Sequence, residues 1–273
     1  MNGKNLWSAA AILVAVAAIY ASTVNGKPQD PAYNLPLPAS LVNGCFDKGH
    51  MDSPECSALA FKQLNVDREK GGLPAYSLPG NWKSLTPVDK LFILTNLDRV
   101  DRGLPPISGV LNSLNSVARS AAEHDRDPTL NSKAARIIGG NPRNLNWVSN
   151  WSGSGNIYLN ELGWMYEDGL PKTGKSPIVN IDCKTPGGKY CWGHRNNILI
   201  PVGISSPFQP GYETAMGGYV SRKSTAEIFA NVYKRKATRF VYTWADAVRD
   251  GVRVPKATSW ESRLLNSVSK TIL

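Results

Sequence analysis

The stretch Cys183-Lys-Thr-Pro-Gly-Gly-Lys-Tyr-Cys191-Trp192-Gly-His194-Arg-Asn-Asn-Ile-Leu199 joins a close cysteine pair to a histidine set in a short run that ends apolar. Sixteen residues before Cys183 stands Glu167, at the end of Trp164-Met-Tyr-Glu167. A carboxylate, a histidine and a cross-linked turn between them are the parts needed to fix a pocket around one metal ion or one polar ligand.

Toward the amino terminus, Met1-Asn-Gly-Lys4-Asn carries one positive charge and leads into the uncharged run from Leu6 to Ala21. That length suits the apolar core of a signal peptide and falls slightly short of the ~20 residues of a comfortable membrane span. Val24-Asn25-Gly26 offers a cleavage position after Gly26, but no Ala-x-Ala site stands out, so an uncleaved anchor stays open. Either way, the remainder is expected to be secreted or held at the cell envelope. Four cysteines suit that compartment. Pairing neighbours gives Cys45–Cys56 and Cys183–Cys191, one of three possible connectivities. Each short loop so closed is worth roughly 2.5–3 kcal/mol on the chain-entropy account. No Cys-x-x-Cys or paired-histidine spacing points to structural zinc.

Without residues 1–26 the chain keeps about 245 residues, enough for one full core. Lysine and arginine number 31 against 21 aspartates and glutamates, a surplus that attracts anionic surfaces. The basic residues are scattered and the compartment is wrong for nucleic acid. A cell-envelope polyanion, glycan, peptide or lipid is the expected partner.

Residues 27–52 read as a linker, with Pro28, Pro31, Pro36 and Pro38 opposing regular structure. Residues 53–85 hold an accessory helix that starts at Ser53-Pro54-Glu55 and stops at Gly71-Gly72. Thr86-Pro87 opens a second helix, with Asp89 in the capping-box position, Leu91, Leu94, Leu97 and Val100 inward, and Gly103 as its stop. The two helices share a pattern: Asn65-x-Asp67-Arg68-x-x-x-Gly72-Leu73-Pro74 recurs as Asn96-x-Asp98-Arg99-x-x-x-Gly103-Leu104-Pro105, 31 residues on. Duplication and a common helix-end pattern both explain it. A third helix is expected over Leu111 to Arg126, loops over 131–163, a short helix over Glu161 to Asp168, and strands over Glu213 to Ser221 and Thr225 to Lys234. Helices early and antiparallel strands late argue an α+β fold.

The Trp-x-x-Glu end followed by Cys…Cys-Trp-Gly-His194-Arg-Asn-Asn-Ile-Leu resembles the CAP superfamily, which includes the cysteine-rich secretory proteins, antigen 5 and the plant pathogenesis-related proteins. Bacterial relatives carry Gly-His-Arg-x-Asn-Ile-Leu, and the helix around Asn96 resembles the family's first helix. The resemblance covers about residues 86–235 and implies a three-layer α-β-α sandwich, here a domain over 86–250 with an extra amino-terminal helix. The insertion at 169–190 and the basic tail over 251–273 have no counterpart.

In metal-binding members of the family, two histidines and two glutamates line a cleft. The resemblance carries over only His194 and Glu167. The Gly-Glu-Asn-Ile element appears as Ser154-Gly155-Asn156-Ile157, without its glutamate, and Asn144 to Ser152 lacks the second histidine. Two ligands hold zinc poorly, so no cofactor, or weak divalent-metal binding at most, is expected unless Glu161, Asp168 or His124 substitutes.

Trp147, Trp151, Trp164 and Trp192 are offered either as aromatic walls of the cleft around Glu167 and His194 or as core. Gly169-Leu-Pro-Lys-Thr-Gly174-Lys175-Ser176 matches a phosphate-cradling loop, but a helix end precedes it and a strand-like run follows, so nucleotide binding is not expected. Ser152-Gly-Ser154-Gly lacks the spacing of a strained nucleophile turn. The reading is an exported, non-catalytic binding module with a degenerate cleft. The alternative is a secreted hydrolase using a Glu167–His194 pair, with or without metal assistance.

Overall fold

The computed structural model describes residues 34–46, 50–139, 145–168, 192–199, 212–233 and 239–253. The leader, the Cys183–Cys191 pairing, the phosphate-loop match and most of the basic tail lie outside these residues.

A short turn α1 (Ala39–Leu41) runs on into π-helical Val42–Phe46 and delivers Cys45 to Cys56 at the start of α2 (Pro54–Lys70), where the two form a disulfide. Ser53 caps α2 by accepting from the Cys56 amide, and Pro54 fills a first-turn position where no amide donor is needed. Thr86 opens α3 (Pro87–Val100) in the same way, accepting from the Asp89 amide. Every residue of α3 from Leu91 to Val100 is buried, which makes it the central helix of the larger core.

The third predicted helix is shorter than expected. α4 (Asn112–Ala122) ends before the chain reverses at Asp125, whose φ of 49° no helix continues through. The region read as loops holds α5 (Ser132–Ile137), capped by Asn131, and strand β2 (Trp147–Ser152). α6 (Ile157–Tyr166) starts four residues before the expected Glu161, because the Asn156 side chain caps it. α7 (Gly193–Leu199) follows Trp192, and α8 (Trp244–Arg249) is held by a reciprocal Thr243–Asp246 capping box.

The five described strands form one mixed sheet in the order β2-β4-β3-β1-β5, with β1 (Gly109–Val110), β3 (Tyr212–Val220), β4 (Thr225–Tyr233) and β5 (Tyr242–Thr243). β1 runs parallel to β3; the other pairings are antiparallel. The fold is therefore α+β. Adjacent glycines on β3 show what covers the sheet: a Cβ at Gly217 would meet the backbone of Leu114 on α4, and one at Gly218 would meet Val88 and Leu91 of α3. One face carries a core of Leu114, Ala118, Ile228 and Val232 with α4 and α5. The other carries Phe92, Leu94, Leu162, Ile198 and Phe229 with α2, α3, α6 and α7.

Residues 34–46 are not a free tether, contrary to the linker reading. Asn34, Leu35, Leu41 and Cys45 are buried, and the Leu35 amide donates to the Tyr166 carbonyl at 2.9 Å. Nor does α2 stand outside the domain. The Arg68 guanidinium, fully buried, pairs with Asp98 at 2.5 Å and with Asp101, and Asp98 also takes Arg102 at 2.7 Å and the Tyr76 hydroxyl at 2.5 Å. Among the described residues no helix is long and apolar enough to cross a membrane.

Candidate functional site

His194 sits in the first turn of α7, and its Nδ1 lies 2.6 Å from Asp168 Oδ1, while the other Asp168 oxygen accepts from the Arg195 amide at 3.0 Å. Both Asp168 oxygens are thus engaged, so the carboxylate orients the imidazole rather than merely neighbouring it. The carboxylate beside His194 is Asp168, not Glu167 as expected. α6 ends at Tyr166, and Glu167, its C-cap, has φ −134°, outside the helical range. Glu167 has Asp67 of α2 as its charged neighbour, whereas the next residue, Asp168, meets α7. Burial, and then that neighbouring charge, push the Glu167 pKa well above the ordinary carboxyl range.

The His194 side chain is 35% exposed while Asp168 is sealed, so the imidazole is the solvent-facing member of the pair. Trp164 stacks beside it, ring centroids 6.2 Å apart. Burial works against the charged imidazole. The Asp168 hydrogen bond and the charges of Asp168, Asp127 and Glu227 outweigh it, and the His194 pKa is raised.

Behind the histidine lies Glu227 of β4, fully buried, a residue the sequence reading missed. Asn150 of β2 pairs with it across the strands; its amide donates to Glu227 Oε1 at 2.7 Å and reaches the His194 carbonyl at 3.4 Å. The Thr95 hydroxyl of α3 lies 3.3 Å from Glu227 Oε2. Asn197 of α7 in turn donates to Asn150 Oδ1 at 2.9 Å and to the Ser149 carbonyl at 2.8 Å. Burial pushes the Glu227 pKa up to about 8, although Asn150, Thr95 and the positive field of His194 pull the other way. Burial thus favours the neutral form of Glu227, whereas Asp168 favours the charged form of His194.

Glu161, a nominated substitute ligand, is fully buried, and among the described residues neither carboxyl oxygen meets a hydrogen-bond partner at ordinary geometry. Burial and the fields of Asp98 and Glu227 push its pKa well above the carboxyl range. His124 is exposed beside the Ser120 carbonyl at 2.7 Å, and His50 is exposed as well. Among the described residues no group of three or more histidine, cysteine, aspartate or glutamate side chains is arranged to hold a metal ion.

Of the four tryptophans offered as walls, only Trp164 adjoins His194. Trp147 and Trp151 pack against the core on the opposite face of the sheet, and the Trp151 indole donates to Ser224 Oγ at 2.8 Å. Strand alternation dictates this, since Asn150 points to the Glu227 face and odd-numbered neighbours point away. Trp192 is fully buried and donates to Asn34 Oδ1 at 2.9 Å. The missing glutamate at position 155 also has a steric cause: a Cβ on Gly155 would lie 2.0 Å from the Ser221 carbonyl oxygen in the β3–β4 turn.

A signal for Glu227 existed, since it is the one charged residue in Thr225-Ala-Glu-Ile-Phe-Ala-Asn-Val-Tyr233. An ionisable group inside a buried strand needs partners or a shifted pKa. Fold and site define a disulfide-bonded α+β protein with an Asp-held, half-exposed histidine over a buried glutamate. The chain matches no protein-family model, no curated protein and no solved structure.

Proposed function

We propose that the chain is an exported module of the CAP-like three-layer kind whose cleft at His194 binds an envelope or extracellular ligand without chemical turnover. Helices on both faces of a mixed sheet, the α3 motif, and the juxtaposition of the α6 end with the Gly193–Leu199 helix support the fold reading. A disulfide supports an oxidising compartment. The observation that carries the functional reading is the half-exposed imidazole, oriented by Asp168 and backed by the buried, hydrogen-bonded Glu227. This arrangement presents one donor to a polar or anionic group, and two serine hydroxyls of β2 are held in hydrogen bonds of their own. Ser149 Oγ is engaged with the Pro128 carbonyl at 2.7 Å and Ser152 Oγ with Asn160 at 2.7 Å.

Co-sedimentation with isolated cell envelopes tests it. Wild-type protein is expected to sediment, and His194→Ala to bind about tenfold more weakly, which corresponds to about 1.4 kcal/mol. Equal binding by the two proteins would sink the reading.

A second reading draws on the raised pKa values of Glu227 and His194, which suit general acid–base work near neutral pH. It is a hydrolase in which Asp168, not Glu167, orients the histidine. Release of envelope fragments by wild type but not by His194→Ala would favour it. A zinc-dependent rise in melting temperature abolished by the same substitution would make it metal-assisted.

A further inference from the structure

Asn34 lies far from the site in sequence, in a segment that composition marks as linker, yet it is only 2% exposed. Its amide nitrogen donates to the Asp168 carbonyl at 2.9 Å. Its carbonyl oxygen accepts from the Trp192 indole at 2.9 Å and from Arg195 Nη2 at 3.0 Å. The chemistry fixes this orientation, because indole and guanidinium nitrogens only donate and a peptide carbonyl only accepts. One side chain thus ties together the two residues that flank positions 169–191, and it reaches Arg195 as well. The backbone joins the same ends, with the Trp192 amide donating to the Asp168 carbonyl at 3.4 Å. Trp192 holds φ at 57°, a left-handed conformation that a bulky residue adopts only when its surroundings enforce it.

We propose that Asn34 is a positioning residue for the Asp168–His194 pair, a clasp supplied from outside the segment that resembles the family domain. Asp168 orients the imidazole, Trp192 starts the turn that delivers it, and Arg195 follows it, so each group that Asn34 holds is one or two residues from His194 or bonded to it. Aspartate would keep the acceptor and lose the donor; alanine would lose both. The clasp rests on Asp168–His194 being the functional pair, but the titration below reads the pair itself and not a ligand, so it stands or falls separately from envelope binding.

The experiment is an NMR titration of the three histidines, with His194 assigned by substitution. Among the described residues the charged groups that act on His194 are Asp168 at the end of α6, Asp127 beyond α4 and Glu227 on β4, and of these Asn34 holds the first. Loosening Asp168 weakens the hydrogen bond and charge that raise the imidazole pKa most, so burial, which lowers it, is opposed mainly by the smaller fields of Asp127 and Glu227. In Asn34→Ala the His194 pKa is expected to fall by about 0.5 unit or more, and in Asn34→Asp by less, since the Trp192 and Arg195 donors keep their acceptor and the added carboxylate favours the charged imidazole. Leu35→Ala, which thins the same segment's packing without touching the amide, is expected to lower stability and leave the His194 pKa in place. A folded Asn34→Ala protein with a wild-type His194 titration overturns the proposal, as does a Leu35→Ala protein with the same pKa fall. If Asn34→Ala does not fold, the wild-type protein decides: rapid hydrogen exchange of the Trp192 indole or of the Asn34 amide overturns the clasp, and slow exchange of both supports it.

Discussion

At position 155 the chain cannot carry the glutamate that the CAP resemblance calls for, because the turn after β3 already occupies the space where a Cβ would go. Gly155→Ala is expected to destabilise by about 1–3 kcal/mol, the usual range for overpacking against backbone that cannot yield, measured as a lowered urea midpoint. An unchanged midpoint would mean that the turn gives way and that a glutamate could be restored. What the sequence tells at this scale depends on how a residue's partners are reached. His194 and Asp168 were both legible as chemistry-bearing residues, but which of two adjacent acids meets the histidine is decided by where α6 stops, a one-residue matter beyond any pattern. Asn150 and Glu227 were illegible because they become partners only through β-sheet register, Asn150 opposite Glu227. The same register sends Trp147 and Trp151 to the far face, which is why four prominent tryptophans yielded one cleft neighbour.

Among the elements, the repeated Asn-x-Asp-Arg-x-x-x-Gly-Leu-Pro pattern does the same structural work twice. The Tyr76 amide donates to the Asn65 side chain at 2.9 Å, and the Ile107 amide to that of Asn96 at 2.7 Å, each eleven residues on. Arg68 Nε donates to the Pro74 carbonyl at 2.9 Å, Arg99 Nε to that of Pro105 at 3.0 Å, and Gly72 and Gly103 turn the chain at φ 70° and 77°. The copies then diverge. Arg68 reaches Asp98 of the second copy, whereas Arg99 reaches the Ile198 carbonyl of α7 at 2.6 Å, so the first copy braces the second and the second braces the site helix. Asn96 is fully buried and bonds Ile107 twice, once as donor and once as acceptor; Asn65 is only partly buried. Asn96→Ala is therefore expected to cost about 1–3 kcal/mol and Asn65→Ala about 1 kcal/mol or less, read from chemical denaturation. Equal losses would mean that burial is not what separates the copies. Both helices were readable from their caps and glycine stops, signals confined to a few neighbouring residues. The strands β1 and β5, two residues each, exist only because β3 and the chain before α8 pair with β1, and so left no periodic trace.

Across the whole molecule, the buried acids set the response to pH. Burial raises the pKa of Glu161, Glu167 and Glu227, and also of Asp67, Asp89 and Asp101. In the unfolded chain such groups titrate near about 4. Between that value and each folded pKa the native protein binds protons that the unfolded chain has lost, so stability falls as pH rises through the interval, which for Glu227 ends at about 8. His194 acts in the same sense, because the stability from its raised pKa is complete below the ordinary imidazole value and is lost as pH climbs through the folded one. Two carboxyls oppose this on the acid side. Burial disfavours charge on Asp98, but Arg68 and Arg102 hold its pKa below the usual range, and the Thr243 hydrogen bond does so for Asp246. Their contribution is lost as pH falls through those lowered values. The stability maximum is thus expected on the acid side of neutrality, with the melting temperature higher at about pH 5.5 than at about pH 8.5. Glu227→Gln places a permanently neutral side chain at the position. It should flatten the fall between about pH 5 and 8 and leave the acid limb as it was. Because five other raised acids and His194 remain, the slope should shrink rather than vanish. A wild-type melting temperature that climbs steadily from acid to alkaline pH would contradict the buried neutral state of these carboxyls, and with it the account of Glu227 as a neutral hydrogen-bonded floor beneath His194.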